Sequence, residues 1–147
     1  MSALPLRRAP AVPESDTPPS VDPAVLARLS DQFASTAADH DRSGAFPRQN
    51  FEALQAHGLI GLVAPVAYGG GGATLATARR VIAAVARGEP ATALILTMTY
   101  LQHQALARRE SRWPAHLRER VARDAVAHGA LINALRVEPA LGSPARG

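Results

Sequence analysis

A few short stretches of this chain carry groups able to do chemistry. In VEPALGS, residues 137–143, a Glu-Pro turn stands beside a Gly-Ser pair. Gly142 lets the backbone approach a ligand closely, and N–H groups exposed at such a turn favour an anion. The glycine tract Gly69–Gly72 precedes a predicted helix, whose N-terminus also attracts anions. It lacks both a Gly-Lys-Ser/Thr sequence and a preceding strand, so a structural turn with Tyr68 packed beneath it is the preferred reading. The stretches DHD at 39–41 and HLRE at 116–119 hold metal-ligating side chains. Each lacks a third partner and falls at a helix end, where polar residues are expected anyway. His103 follows a nearly seamless apolar face and reads first as a residue capping the core, and His57 suits the negative end of a helix.

The composition removes whole classes of mechanism. There is no cysteine, which excludes disulfides, thiolate catalysis and zinc–thiolate sites. All 16 basic residues are Arg, so lysine chemistry and a Walker-type phosphate loop are excluded too. The net charge of +4 is modest, the arginines are interleaved with acids, and only 4% of residues are aromatic. That pattern provides neither the basic stripe nor the stacking rings of a nucleic-acid binder. No run approaches the ~20 apolar residues that cross a bilayer. Arg7-Arg8 is followed by the Pro-rich, acidic APAVPESDTPPS where an export signal needs an apolar stretch, so the chain reads as cytoplasmic.

The elements that must position these groups read as helices. Residues 1–21 hold five prolines in their first twenty positions and few large apolar side chains, the pattern of a disordered tail. From 22 to 129 the pattern is helical. Asp22 caps a first helix expected to run to about Asp39, with Pro23 in its first turn and Val25, Leu26, Leu29 and Phe33 on one face. Pro47 opens a second helix with Phe51 and Leu54 inward and Gly58 at its end. LIGLVAPVAYGGGGA is too broken for a helix and reads as a packed loop. A third helix shows the stripe Leu75, Ala78, Val81, Ile82 and Val85, with Arg79 and Arg80 outward and Gly88 terminating it.

A fourth helix, EPATALILTMTYLQHQALARR, is apolar or weakly polar on every side from Ala91 to Leu101, which predicts burial all round and a central place. A fifth opens at Pro114, turns Leu117, Val121 and Ala125 inward, pairs Glu119 with Arg123 and stops at Gly129; Trp113 before it reads as a hydrophobic staple. Only then, at 130–137, does ALINALRV read as a strand. A strand needs partners for its backbone groups, and no other segment offers a good one. The fold expected is therefore mainly α, five helices ending in one orphan β-strand that begins an incomplete β-domain over 130–147.

This order of elements resembles the N-terminal part of the acyl-CoA dehydrogenase family of flavoproteins. Its marks are Phe46-Pro47 opening a helix, GLIGLVAPVAYGGGG for the family's Pro-x-x-Tyr-Gly-Gly loop, EPATALILTMTYLQH for its buried helix, and VEPALGS for its Thr-Glu-Pro-x-x-Gly-Ser-Asp motif. The resemblance covers about Asp22 to Gly147. It implies FAD as cofactor, with Val137, Glu138, Pro139, Gly142 and Ser143 shaping the turn beside the flavin. It also implies an acyl-CoA or similar small-molecule substrate touched by Thr97, Met98 and Ser143, and a homo-oligomer in the full-length form. His103, with Thr97, Thr99 and Tyr100, would line the acyl chamber if it is not simply a core residue.

Two residues depart from the motif. Val137 stands for a Thr whose hydroxyl reaches the flavin, and Pro144 replaces the Asp and removes an N–H. Both make a flavin monooxygenase of the same family more plausible than an intact motif would. The family's remaining strands, its C-terminal helical bundle and its catalytic base fall past residue 147. The chain is accordingly expected to be an N-terminal fragment, inactive alone and unable to hold FAD tightly. A non-catalytic helical module that lends its strand to another sheet is the reading from a different class.

Overall fold

The computed structural model describes residues 21–133, and within them the chain is helical. Helix α1 (Pro23–Ser43) begins where the Asp22 carboxylate accepts from the Ala24 N–H at 2.8 Å and ends at Gly44, whose φ of 67° lets its N–H reach the His40 carbonyl. It runs past the expected Asp39 by one turn. The sequence signal for the later stop is Gly44 itself, following Arg42 and Ser43.

Helix α2 (Arg48–Ala56) has Pro47 just before its first residue and turns Phe51 and Leu54 inward. Phe46 stacks on Phe51 with ring centroids 5.1 Å apart. These are the residues before the cap and in the second turn, so the hydrophobic staple is here. At Trp113, where a staple was expected, the corresponding position in the following helix is Arg118, and the indole is 47% exposed.

Residues 57–74 form the expected packed loop around a short 3-10 turn, Val66–Tyr68. Leu59, Ile60, Leu62, Val63 and Ala64 are all buried. The glycine tract folds back onto them: Gly71 N–H donates to Gly61 O at 3.1 Å, Gly72 N–H to Ala64 O at 2.9 Å, and Ala73 N–H to Leu62 O at 3.0 Å. A Cβ on Gly70 would lie 2.2 Å from the Ala64 oxygen, so the tract is needed for close backbone approach. Those donors are turned onto carbonyls, which supports the structural reading of the tract over a phosphate cradle.

Helix α3 (Leu75–Gly88) starts with the Thr74 hydroxyl accepting from Thr77 N–H and packs against both α1 and α4. Its inward face is Thr77, Ala78, Val81, Ala84, Val85 and Gly88, while Leu75 is 76% exposed and Ile82 only half-buried. The expected stripe is thus rotated toward smaller residues, because α1 comes too close for large ones. At Gly88 an added Cβ would meet the Ser30 oxygen at 2.3 Å and the Phe33 side chain at 3.0 Å. Gly88 ends the helix as expected and is also a contact point between helices.

Helix α4 (Pro90–Ala107) is not buried all round. Leu94 and Leu101 are 64% and 54% exposed, Met98 between them is half-buried, and burial is confined to Thr92, Ala93, Leu96, Thr99, Tyr100, His103 and Leu106. Helix α5 (Ala115–His128) buries Ala122 and Ala125, holds Leu117 and Val121 half-buried, and pairs Glu119 with Arg123 at 2.8 Å. Gly129, with φ 64°, closes it. Residues 130–133, the described part of the expected strand, carry no strand pairing among the described residues, although Leu131 packs on the core. The remainder of that segment lies outside the described residues. No described helix is long and apolar enough to cross a membrane.

The α1–α3 crossing makes a direct prediction. Gly88→Ala should lower stability by about 1–3 kcal/mol through overpacking, read as a drop in the urea midpoint, whereas Ala83→Gly on the exposed side of α3 should cost no more than about 1 kcal/mol.

Candidate functional site

Thr97 and Met98, the described members of the expected substrate contacts, sit in the middle of α4 on the side left open. The Thr97 hydroxyl donates to the carbonyl of Ala93 at 2.7 Å, one turn back. Met98 joins Leu94, Ile95 and Thr99 to form one wall of a groove of about 460 Å³, and Leu131, Ile132 and Asn133 form the other. The Thr99 hydroxyl donates to the Ile132 carbonyl at 3.4 Å and ties this closing segment to the helix. The groove is mainly apolar, and the Thr99 hydroxyl in its wall is already turned onto a carbonyl, so it suits an aliphatic group. Val137, Glu138, Pro139, Gly142 and Ser143 lie outside the described residues; the chain is last described at Asn133, on the rim of this groove.

Tyr100 and His103 do not join Thr97 and Met98. Tyr100 is 3% exposed and its hydroxyl donates to the Leu59 carbonyl; burial pushes that phenol well above its ordinary range. His103 is 1% exposed and lies on the opposite side of α4 from Leu94. Burial holds its imidazole below the ordinary value. It lines a separate, smaller cavity with Tyr68 and Arg118.

A polar cluster that the sequence did not reveal lies at the start of α4. Glu89 is 3% exposed. Its carboxylate accepts from His40 Nδ1 at 2.8 Å, from the Thr92 hydroxyl at 2.6 Å and from the Asn50 amide, and Asn50 also donates to the Thr92 hydroxyl at 3.0 Å. His40 belongs to the DHD stretch considered for metal binding; here it serves the carboxylate. The His40–Glu89 and Asn50–Glu89 pairs are 49 and 39 residues apart in sequence, so no local spacing could announce them. Glu89 in front of a helix-opening proline, with Thr92 three residues on, was the one local hint.

With the helices and their open face defined, comparison with known proteins gives a clear placement. Residues 23–111 match the model of the acyl-CoA dehydrogenase N-terminal domain. The chain belongs to that family. It is 33% identical over 122 residues to "Putative acyl-CoA dehydrogenase YdbM" of Bacillus subtilis (strain 168), covering 83% of this chain and 32% of that protein. It is 35% identical over 86 residues to "Probable FMNH2-dependent monooxygenase SfnC" of Pseudomonas putida, covering 58% of this chain and 22% of the other. The dibenzothiophene monooxygenase of Rhodococcus erythropolis is 38% identical over 69 residues, 46% of this chain and 16% of the enzyme. Among solved structures, KijD3 in complex with dTDP superposes with a TM-score of 0.59 at 36% identity, over 71% of this chain and 28% of that one. The chain thus spans about a third or less of the length of the relatives it matches.

Two outcomes follow for the family domain. Glu89→Ala removes the shared acceptor of His40, Asn50 and Thr92 and should cost about 3–5 kcal/mol, measured by urea unfolding. Separately, His103 sits below its unfolded value of 6.5, so as pH falls through the mid-6 range the unfolded chain takes up a proton before the folded one does. Its contribution is complete above that range and declines below it. The urea midpoint of the wild type should therefore fall between about pH 7.5 and 5.5 by more than that of His103→Gln.

Proposed function

We propose that this chain is the N-terminal helical part of a flavin-dependent oxidoreductase that carries out α,β-dehydrogenation of an acyl-CoA thioester, with the open face of α4 as one wall of the substrate chamber. The observation that carries the reading is the row Leu94, Met98 and Leu101, an apolar face left exposed by a family domain and continued by Leu131 and Ile132. In a full-length enzyme this face would take the aliphatic part of the substrate and exclude water from it. The described residues fit that role and offer the flavin itself few donors, since the groove wall is mainly apolar and its Thr99 hydroxyl donates to the Ile132 carbonyl. The contacts to FAD are assigned by resemblance to Val137, Glu138, Pro139, Gly142 and Ser143, with Ser143 also near the substrate. When bound, FAD supplies the hydride acceptor while a glutamate base removes the α-proton. No such base is assigned within residues 1–147, and on this reading the 147-residue chain is inactive alone.

Two features favour a second reading, a flavin monooxygenase of the same family. Val137 and Pro144 replace the Thr and Asp of the usual motif. The similarity to SfnC and dibenzothiophene monooxygenase points the same way.

The test is a splice of residues 21–147 into YdbM in place of its matching segment, so that Val137 to Pro144 are carried along. A dehydrogenase reading expects flavin to be retained and an acyl-CoA to reduce it without oxygen; a monooxygenase reading expects oxygen uptake with reduced flavin and no such reduction. In the splice, Met98→Asp should lower kcat/KM by about tenfold or more with flavin content unchanged. The 147-residue chain by itself should purify without flavin, and one flavin per chain would overturn the assignment of inactivity.

A further inference from the structure

The groove beside α4 has two walls that are held very differently. Leu94, Ile95, Met98 and Thr99 stand on a helix whose first turn is tied down by the Glu89 cluster and whose other side is sealed into the core by Leu96 and Tyr100. The opposite wall, Leu131, Ile132 and Asn133, stands on a segment with no strand pairing among the described residues.

The change from firmly to loosely held chain falls at Gly129. Just before it, the end of α5 is fixed: Ala125 is buried, and Gln55 Nε2 donates to the Val126 carbonyl at 2.7 Å. Gly129 itself has φ 64°, a left-handed conformation that favours glycine and turns the chain out of the helix. Beyond it the bonds lengthen. The Ala130 N–H reaches the Asp124 carbonyl at 3.3 Å and the Thr99 hydroxyl reaches the Ile132 carbonyl at 3.4 Å, both past the usual range. Ala130 and Asn133 are exposed, and Leu131 and Ile132 are only half-buried. A segment with so little buried apolar surface opens at a fraction of the cost of unfolding the whole domain.

We infer that residues 130–133 form a flap that lifts from Thr99 about Gly129 as a local unit, so that the groove has one fixed wall and one moving wall. Opening breaks the Thr99–Ile132 bond and withdraws Leu131 from the core, and closing restores both. It uncovers Thr99, which is 0% exposed while Ile95 and Met98 beside it are half-buried. The purpose of the movement rests on the function proposed above: a flap admits an aliphatic group to the groove and then shuts water out.

The chain has no cysteine, so a single introduced thiol reports its own exposure. The test compares Thr99→Cys with Val85→Cys, a core reference 1% exposed on α3, in the 147-residue chain, by labelling with an aromatic disulfide reagent. Val85→Cys should label through global unfolding, at a rate that rises with urea. Thr99→Cys should label at least about a hundredfold faster, at a rate that urea below the unfolding transition leaves unchanged. Equal rates, or the same urea dependence at both positions, would overturn the inference. Amide exchange in the wild-type chain gives a reading that needs no variant to fold: the Ala130 N–H should exchange independently of urea, and that of Val85 should not. Parallel urea dependence of the two would overturn the flap as well. Thr99→Val should speed exchange at Ala130 by about fivefold, and no change there would show that Thr99 does not hold the flap down. These measurements use neither substrate nor flavin, so their outcome is separate from that of the splice into YdbM.

Discussion

A carboxylate taken out of water must be met by donors, and Glu89 imposes that requirement on three helices at once. Its oxygens accept from His40 on α1, Asn50 on α2 and Thr92 on α4. Desolvating one charged group costs several kcal/mol unless such partners are in place, so the arrangement of these helices around the start of α4 is fixed by hydrogen bonding as well as by packing. The last turn of α1, beyond Asp39, has a clear purpose in this light: it holds His40 in helical geometry where it can reach Glu89. The same demand places α2, which buries only Asn50, Phe51 and Leu54 within its nine residues and would otherwise have a weak hold on the bundle.

Once α4 is anchored by the Glu89 cap, its two sides have different fates. One side is sealed against the domain by Leu96, Tyr100 and His103; the other leaves Leu94, Met98 and Leu101 facing out. A free-standing helical bundle has no reason to spend a nearly all-apolar helix in this way. On the function proposed above, that side is kept for the aliphatic part of a substrate.

How much of this was legible in the sequence depends on the range of the interaction that wrote it. Helix ends were legible because their signals are local: Asp22 and Pro23 before α1, and the left-handed glycines Gly58 and Gly129 after α2 and α5. The mainly helical fold and its family could be read from such signals and from four short motifs. Which face of a helix is buried was less legible. Leu75 and Ile82 obey the helical period as well as Thr77 and Ala84 do, and the small residues won because α1 crosses at Gly88 within contact of Ser30 and Phe33. Uniform hydrophobicity along α4 could not reveal which side stays open. The Glu89 cluster was illegible for a third reason, since residues 39 and 49 positions apart leave no periodic trace. Of the candidate site, Met98 lines the groove and Thr97 lies beside it, while the turn at 137–143 lies outside the described residues.

The glycine tract has a wider meaning than its role as a turn. Because residues 70–73 are stitched to the carbonyls of 61–65 by main-chain bonds, the path of the 3-10 turn is settled without help from the side chains it displays. Ala67 and Tyr68 stand on that turn and face the cavity shared with His103 and Arg118. Evolution can therefore exchange those two side chains, and with them the polarity and width of the cavity mouth, while the backbone beneath them keeps its course. A rigid mount with replaceable fittings lets the cavity change while the bundle beneath it stays the same.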